Sequence, residues 1–396
     1  MSDTTVDNSS TEKSKYTSGT VYKIIIAMTF LLAFGLIMVA STSKVQEVSA
    51  NFKEHVVYIL VGIFFICLAA FVPYSVYKKL AWVAYGISII LTLCLLNKSW
   101  GVEVNGATRW LKFPGVPQFQ VADIVKTCMI IFIASYISSM WREMEKLKTI
   151  LILWGLVGAQ AILLYKISNN LSSCLVILGI CFLCTFITSK NWKLHALVMG
   201  IVLIAAVVLV LYVRTHLPTP EELAKNDDFR FERILGWLFT DKYELDSGYQ
   251  VKQSLYAIGS GSLLGKGLGA GTQKLEKIPE AQNDMIFAIV CEELGLVGAV
   301  LLFLMYGYLI YQFYVIVKES SNVFGSVLVI GTMVHFICQI IINVCVATNM
   351  FPNTGVSLPF ISSGGSALIT TMMECGICIG VRRQQTRRMY QKYLAE

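Results

Sequence analysis

Residues 171–213 read LSSCLVILGICFLCTFIT (171–188), SKNWKL (189–194) and HALVMGIVLIAAVVLVLYV (195–213). Neither long run contains Asp, Glu, Lys or Arg, and the break between them holds Lys190 and Lys193. A helix rises about 1.5 Å per residue, so eighteen residues cover about 27 Å, close to the hydrocarbon core of a bilayer. Two such runs separated by a short basic break read as two membrane spans joined by a turn.

The same signature recurs along the chain. Further apolar segments lie at Tyr22–Ala40, His55–Tyr74, Leu80–Leu96, Val121–Met140, Thr149–Tyr165, Gly295–Val317, Phe324–Ala347 and Ser363–Val381. This pattern predicts an all-α integral membrane protein of about ten transmembrane helices. Composition agrees: of 396 residues, 56% are apolar and 14% charged, against roughly 25% charged in soluble domains.

The net charge of +7 does not form a nucleic-acid face, because the basic residues punctuate the spans. With both termini in the cytoplasm, sixteen Lys and Arg fall on the inner side and six in the short outer loops, as positive-inside orientation requires. Residues 1–20 are then expected to be a disordered cytoplasmic tail and 382–396 a basic cytoplasmic tail. Residues 21–381 form the membrane domain. Its long extracytoplasmic loops are 97–120 and, between spans 7 and 8, the large loop 214–283. Long ordered loops on a rigid scaffold are where binding and chemistry concentrate, so the outer face is the expected working face.

None of the eleven cysteines lies in the extracytoplasmic loops, which implies no disulfide framework. The CxxC pairs Cys181/Cys184 and Cys375/Cys378 lack His or acidic neighbours at ligand spacing, so they read as small membrane-compatible side chains and no protein metal site is expected.

Three polar blocks carry the candidate chemistry. The first runs from Asn105-Gly-Ala-Thr-Arg109-Trp110 to Gln118-Phe-Gln120-Val-Ala-Asp123-Ile-Val-Lys126. Arg109 beside Trp110 suits either an interfacial phosphate site or a lipid-headgroup anchor. Asp123 and Lys126 are ionisable residues at the mouth of an apolar span, where such groups are either functional or paired with one another. The second block holds the glycines of 259–269, which suit either backbone approach to a phosphate or a tight turn, followed by Ile278-Pro-Glu280-Ala-Gln-Asn-Asp284. Asp284 opens a helix, as either its cap or a general base. The third block is Thr354-Gly-Val-Ser-Leu-Pro-Phe-Ile-Ser362-Ser363-Gly364-Gly365-Ser366, in which a serine caps the last span. His335, Gln339 and Asn343 form a polar stripe along one face of the ninth span; such stripes face a cavity or a neighbouring helix.

In order and spacing, NGATRW…FQVADIVK, AIGSGSLLGKGLG…IPEAQNDMIFAIVCEELG and TGVSLPFISSGGS resemble the SEDS family (shape, elongation, division and sporulation), represented by FtsW, RodA and SpoVE. The EELG ending sits closer to FtsW and SpoVE than to RodA. Departures include Val121, Ala122 and Asp123 in place of Pro, Ser and Glu, and Gln282 and Asn283 in place of His and Thr. The resemblance implies a peptidoglycan glycosyltransferase of the bacterial cytoplasmic membrane, which polymerises lipid II into β-1,4 glycan strands during division or a related wall-synthesis process. It also implies a class B penicillin-binding protein as partner, with other divisome or elongasome membrane proteins.

On the matching positions the resemblance makes Asp284 the catalytic carboxylate, with burial expected to raise it above the usual Asp value of about 3.9. Arg109, Gln120, Lys126, Glu280, Ser362, Gly364 and Gly365 become substrate-binding residues. No cofactor is fixed, and a divalent cation (Mg or Mn) at the pyrophosphate stays open. The competing readings are a lipid II flippase and a non-catalytic scaffold for a transpeptidase.

Overall fold

The computed structural model describes residues 4–42, 48–104, 107–115, 117–216, 229–239, 247–273 and 282–395. Thirteen α-helices among them are α1 (Thr4–Thr42), α2 (Val48–Phe71), α3 (Tyr74–Lys79), α4 (Ala81–Cys94), α5 (Val121–Ser139), α6 (Leu147–Ser168), α7 (Leu171–Thr188), α8 (Trp192–Thr215), α9 (Phe229–Leu238), α10 (Ser247–Ser260), α11 (Ile286–Lys318), α12 (Val323–Ala347) and α13 (Gly365–Ala395). Eight helices among the described residues are long and apolar enough to cross a bilayer. The shorter α4, and α13 with Glu374 inside it, complete the ten spans.

Three expectations change. Helix α1 starts at Thr4, inside the stretch expected to be a disordered tail. Helix α11 starts at Ile286, nine residues before the expected Gly295, so Glu292 and Glu293 lie within a span and are fully buried. Finally, the loop 97–120 holds an antiparallel sheet in the order β1 (Gly101–Val104), β2 (Ala107–Leu111), β3 (Phe119–Gln120). Its pairing sets Trp110 opposite both Val102 and Gln120.

Between lipid-soluble helices there is little hydrophobic drive to associate, so close backbone approach matters most. Helix α13 lies along α2 through such approaches: a Cβ on Gly376 would come within 2.5 Å of the Ile66 carbonyl oxygen. Helices α5, α11 and α12 form the buried centre, whereas α8 is only 6% buried over its most apolar stretch and stands at the edge. His195 ties α8 back, with Nε2 3.1 Å from Thr185 Oγ1 and Nδ1 2.9 Å from Asn191 O.

Helix α11 is broken at Gly295 (φ 65°, ψ −162°). The glycine-rich segment repairs the break. The amides of Lys266 and Gly267 donate to the carbonyls of Glu292 and Glu293 at 2.9 and 3.0 Å, while those of Leu296 and Val297 donate to Ser262 and Leu263 at 3.0 and 3.2 Å. Of the two readings left open, the tight turn is the one realised: these amides satisfy a helix rather than a phosphate.

Candidate active site

Asp284 sits half-buried in the turn that leads into α11. The helix cap position falls on Met285, so the capping expectation for Asp284 shifts by one residue. Backbone and side-chain bonds hold this turn from two sides. Asn343 Nδ2, near the C-terminal end of α12, donates to the Asp284 carbonyl and to the Val356 carbonyl, each at 2.8 Å. Gly355 is left-handed (φ 68°), and a Cβ there would stand 3.2 Å from Asp284 Oδ2.

The serines expected to cap the last helix bind this turn instead. Ser362 Oγ donates to the Asn283 carbonyl at 2.6 Å and accepts the Leu358 amide at 2.7 Å. The Ser363 amide donates to Gln282 O at 3.0 Å, and its hydroxyl binds Asn283 Oδ1. Gly364 meets its first neighbour, Ala367 Cβ, at 3.6 Å, whereas Gly365 lies under the Tyr58 ring, 2.5 Å from where a Cβ would be. Among these candidates, then, Ser362 and Gly365 make contacts that shape the site from within.

The first-loop residues arrive beside this turn. Lys126 Nζ pairs with Asp123 Oδ1 at 2.9 Å, both almost fully buried, so the paired reading holds. Asp123 Oδ2 accepts Ser366 Oγ at 2.7 Å, and Ser366 Oγ accepts the Gln120 amide at 3.2 Å. This joins α5 to the start of α13. Arg109, half-buried on β2, donates to the Asn169 carbonyl at 3.4 Å. The adjacent α6–α7 turn reaches the third block through Ser172 Oγ and Thr354 O at 2.5 Å. Glu280 lies outside the described residues.

Arg233 escaped the reading of the sequence. It lies on α9, whose Trp237 Nε1 donates to Asn349 O at 3.0 Å; Arg233 itself donates to Asn353 O at 3.2 Å. Burial pulls the Arg233 guanidinium below its ordinary range, and the charge of Asp284 opposes that pull. A signal was present in the amphipathic pattern of FRFERILGWL (229–238), which puts an apolar face next to the arginine.

Behind the site, Glu292 accepts Lys266 Nζ at 2.7 Å and the Thr272 amide at 2.9 Å. Glu293 accepts the Ser41 hydroxyl at 2.6 and 2.8 Å and the Gly269 amide at 3.2 Å. This buried acidic pair thus fastens the glycine-rich segment and α1 to α11. Among the described residues no three His, Cys, Asp or Glu side chains gather to hold a metal ion.

The arrangement offers one carboxylate flanked by a guanidinium, in a turn fixed by buried amides and hydroxyls. That combination can take a proton from a hydroxyl and stabilise an anion beside it.

Residues 22–387 match the family model for FtsW, RodA and SpoVE, described as a cell cycle protein. The chain is 32% identical to a probable peptidoglycan glycosyltransferase FtsW of Coxiella burnetii, over 90% of this chain and 95% of that one. It is 30% identical to the stage V sporulation protein E of Bacillus subtilis, over 93% and 98%. In fold it resembles a chain from a peptidoglycan synthase complex solved for the coordination of polymerization and crosslinking (TM-score 0.74, 24% identity, 92% and 98% covered). It also resembles the Thermus thermophilus rod shape determining protein RodA (TM-score 0.61, 21% identity, 92% and 97% covered). This polytopic chain, with its three polar blocks gathered at one end of the bundle, therefore belongs to the FtsW, RodA and SpoVE family of cell cycle proteins.

Proposed function

We propose that this protein is a peptidoglycan glycosyltransferase that polymerises lipid II, with Asp284 as the general base. The observation that carries the reading is the held turn: Asp284 is braced by Asn343 through its carbonyl, bounded by Gly355, and accompanied by the Arg233 charge. Relatives of more than 30% identity that carry the glycosyltransferase name support it.

In the reaction, the Asp284 carboxylate takes the proton of the acceptor GlcNAc 4-hydroxyl. The freed oxygen pair forms a bond to the anomeric carbon of the donor MurNAc, inverting it to a β-1,4 link. The bond from that carbon to the pyrophosphate oxygen breaks, and undecaprenyl pyrophosphate leaves with the bonding electrons. Arg109 and Arg233 are the cations assigned to the pyrophosphate. Lys126, already paired with Asp123, contributes a dipole more than a free charge.

The distribution of basic residues supports placing the Asp284 end outside the cytoplasmic membrane and both termini inside. A class B penicillin-binding protein is the proposed partner, in keeping with the joint polymerization and crosslinking of the similar complex.

The test is glycan formation from purified lipid II, alone and with that partner, comparing wild type with Asp284→Asn. Polymer from wild type that disappears with Asp284→Asn is expected. A folded wild type that makes no polymer with its partner would overturn the reading in favour of a flippase or a scaffold.

A further inference from the structure

Glu374 lies fully buried in the middle of α13, and both carboxylate oxygens are engaged. Oε1 accepts the Thr127 hydroxyl at 2.6 Å, and Oε2 lies 2.9 Å from His335 Nδ1. The three side chains come from α13, α5 and α12. These same helices carry the site residues Ser366, Asp123 and Lys126, and Asn343. On α5, Thr127 is one turn below Asp123. Glu374 on α13 is two turns below Ser366, and His335 on α12 is two turns below Asn343, about 12 Å at the helical rise. A second polar layer therefore joins the helices beneath the one that forms the site.

A carboxylate at this depth is expensive in a bilayer, and a buried pair contributes little net stability compared with apolar packing. The stripe also leaves His335 Nε2 and Gln339 Oε1 buried with no hydrogen-bond partner among the described residues, and each such group carries an uncompensated desolvation cost. A cluster kept for stability alone would not carry these costs. What directed hydrogen bonds supply, and van der Waals contact between helices does not, is a single register.

We propose that Glu374 is a positioning residue for the transferase site. Through Thr127 and His335 it fixes the axial register of α5 and α12 against α13. That register sets the Gln120–Asp123–Lys126 side of the site against the Asn343-held Asp284. The inference rests on the glycosyltransferase reading and deepens it. Displacing reacting groups by even about 1 Å can cost up to a hundredfold in rate.

The experiment measures lipid II polymerisation and thermal melting for wild type, Thr127→Val, Thr127→Ser, Glu374→Gln and the double variant Thr127→Val/Glu374→Gln. Thr127→Val keeps the shape and removes the donor. It is expected to lower kcat at least tenfold, with KM within twofold and a modest fall in melting temperature that leaves the protein folded at the assay temperature. Thr127→Ser should return kcat to within about threefold of wild type. The double variant should be no slower than the slower single variant, because both break one link. Thr127→Val at the wild-type rate, a loss confined to KM, a fall in melting temperature that accounts for the lost activity, or Thr127→Ser as slow as Thr127→Val would each overturn the proposal. Should Glu374→Gln alone fold poorly, the Thr127 pair decides. A wild type with no polymerase activity would instead overturn the functional reading, and this inference with it.

Discussion

One amide nitrogen, Asn343 Nδ2, donates at 2.8 Å to the carbonyl of Asp284 and at 2.8 Å to the carbonyl of Val356. The turn before α11 and the segment before α13 are thereby both hung from the end of α12. Asn343 is 1% exposed, so water does not replace it when it is removed. The bond reaches the backbone carbonyl of Asp284, the proposed general base, rather than its side chain.

Asn343→Ala is therefore expected to be defective both in stability and in rate. Two buried carbonyls lose their shared donor, at about 1–3 kcal/mol, and Asp284 gains freedom to move. Polymerisation should fall at least tenfold, and melting should occur at a lower temperature. Full activity in Asn343→Ala would show that the turn is held by its other bonds.

Arg233 gives a sharper prediction about charge. Arg233→Gln removes the cation beside Asp284 and is expected to lower kcat by about a hundredfold, the scale set by losing one preorganised electrostatic partner. Arg233→Lys should recover only part of the rate, because an ammonium cannot reproduce the planar fork. Burial lowers the Arg233 value from a very high starting point, so the cation stays charged near neutral pH. Losing that cation removes its support for the ionised Asp284 carboxylate, so the acidic limb of the Arg233→Gln pH–rate profile should move to higher pH as the amplitude falls. An acidic limb that stays in place would assign the titrating step to another group.

How much of this was legible in the sequence follows from what each signal measures. Apolar runs report lipid exposure, so Leu171–Thr188 matched its expected boundaries. Glu292 and Glu293 disguised the true start of α11, because a pair of carboxylates beside a glycine looks like a loop. Only the fold reveals that Lys266, Thr272, Ser41 and Gly269 come to meet them. Asp284, Ser362 and Lys126 stand out as candidates in the sequence because motifs keep neighbours together. Arg233 was missed because its partners, Asn353 and Asp284, are supplied from far along the chain by tertiary contact.

The repaired break in α11 makes Gly295 and Gly265 hard to replace. Gly295 is left-handed, and a Cβ there would fall 2.4 Å from the Gly265 nitrogen; a Cβ on Gly265 would fall 2.1 Å from the Glu293 oxygen. Gly295→Ala meets backbone strain of about 1–3 kcal/mol and overpacking of similar size. Its melting temperature and folded yield should drop well below those of Gly86→Ala, where nothing among the described residues lies within 4 Å of the added carbon. Equal melting temperatures for the two variants would contradict the account of the kink.

At the opposite end of the bundle, Arg382 is 1% exposed and pairs at 2.5 Å with Glu319, which is 43% exposed. Breaking a buried pair is costly mainly because one buried charge is left without compensation; removing Arg382 leaves only Glu319, which is open enough to be hydrated. The two single changes should therefore differ in sign or size. Glu319→Ala strands the buried guanidinium and is expected to destabilise by about 1–3 kcal/mol, reduced from the fully buried case because Glu319 is partly open to solvent. Arg382→Met removes the charge from the interior and should melt at or above the temperature of Glu319→Ala. Both should keep kcat within twofold of wild type, because neither touches the elements that hold Asp284. Melting curves in detergent, read beside polymerisation rates, decide it: an Arg382→Met that melts below Glu319→Ala would mean the guanidinium contributes more through its packing and its 3.4 Å bond to Thr20 than its burial costs.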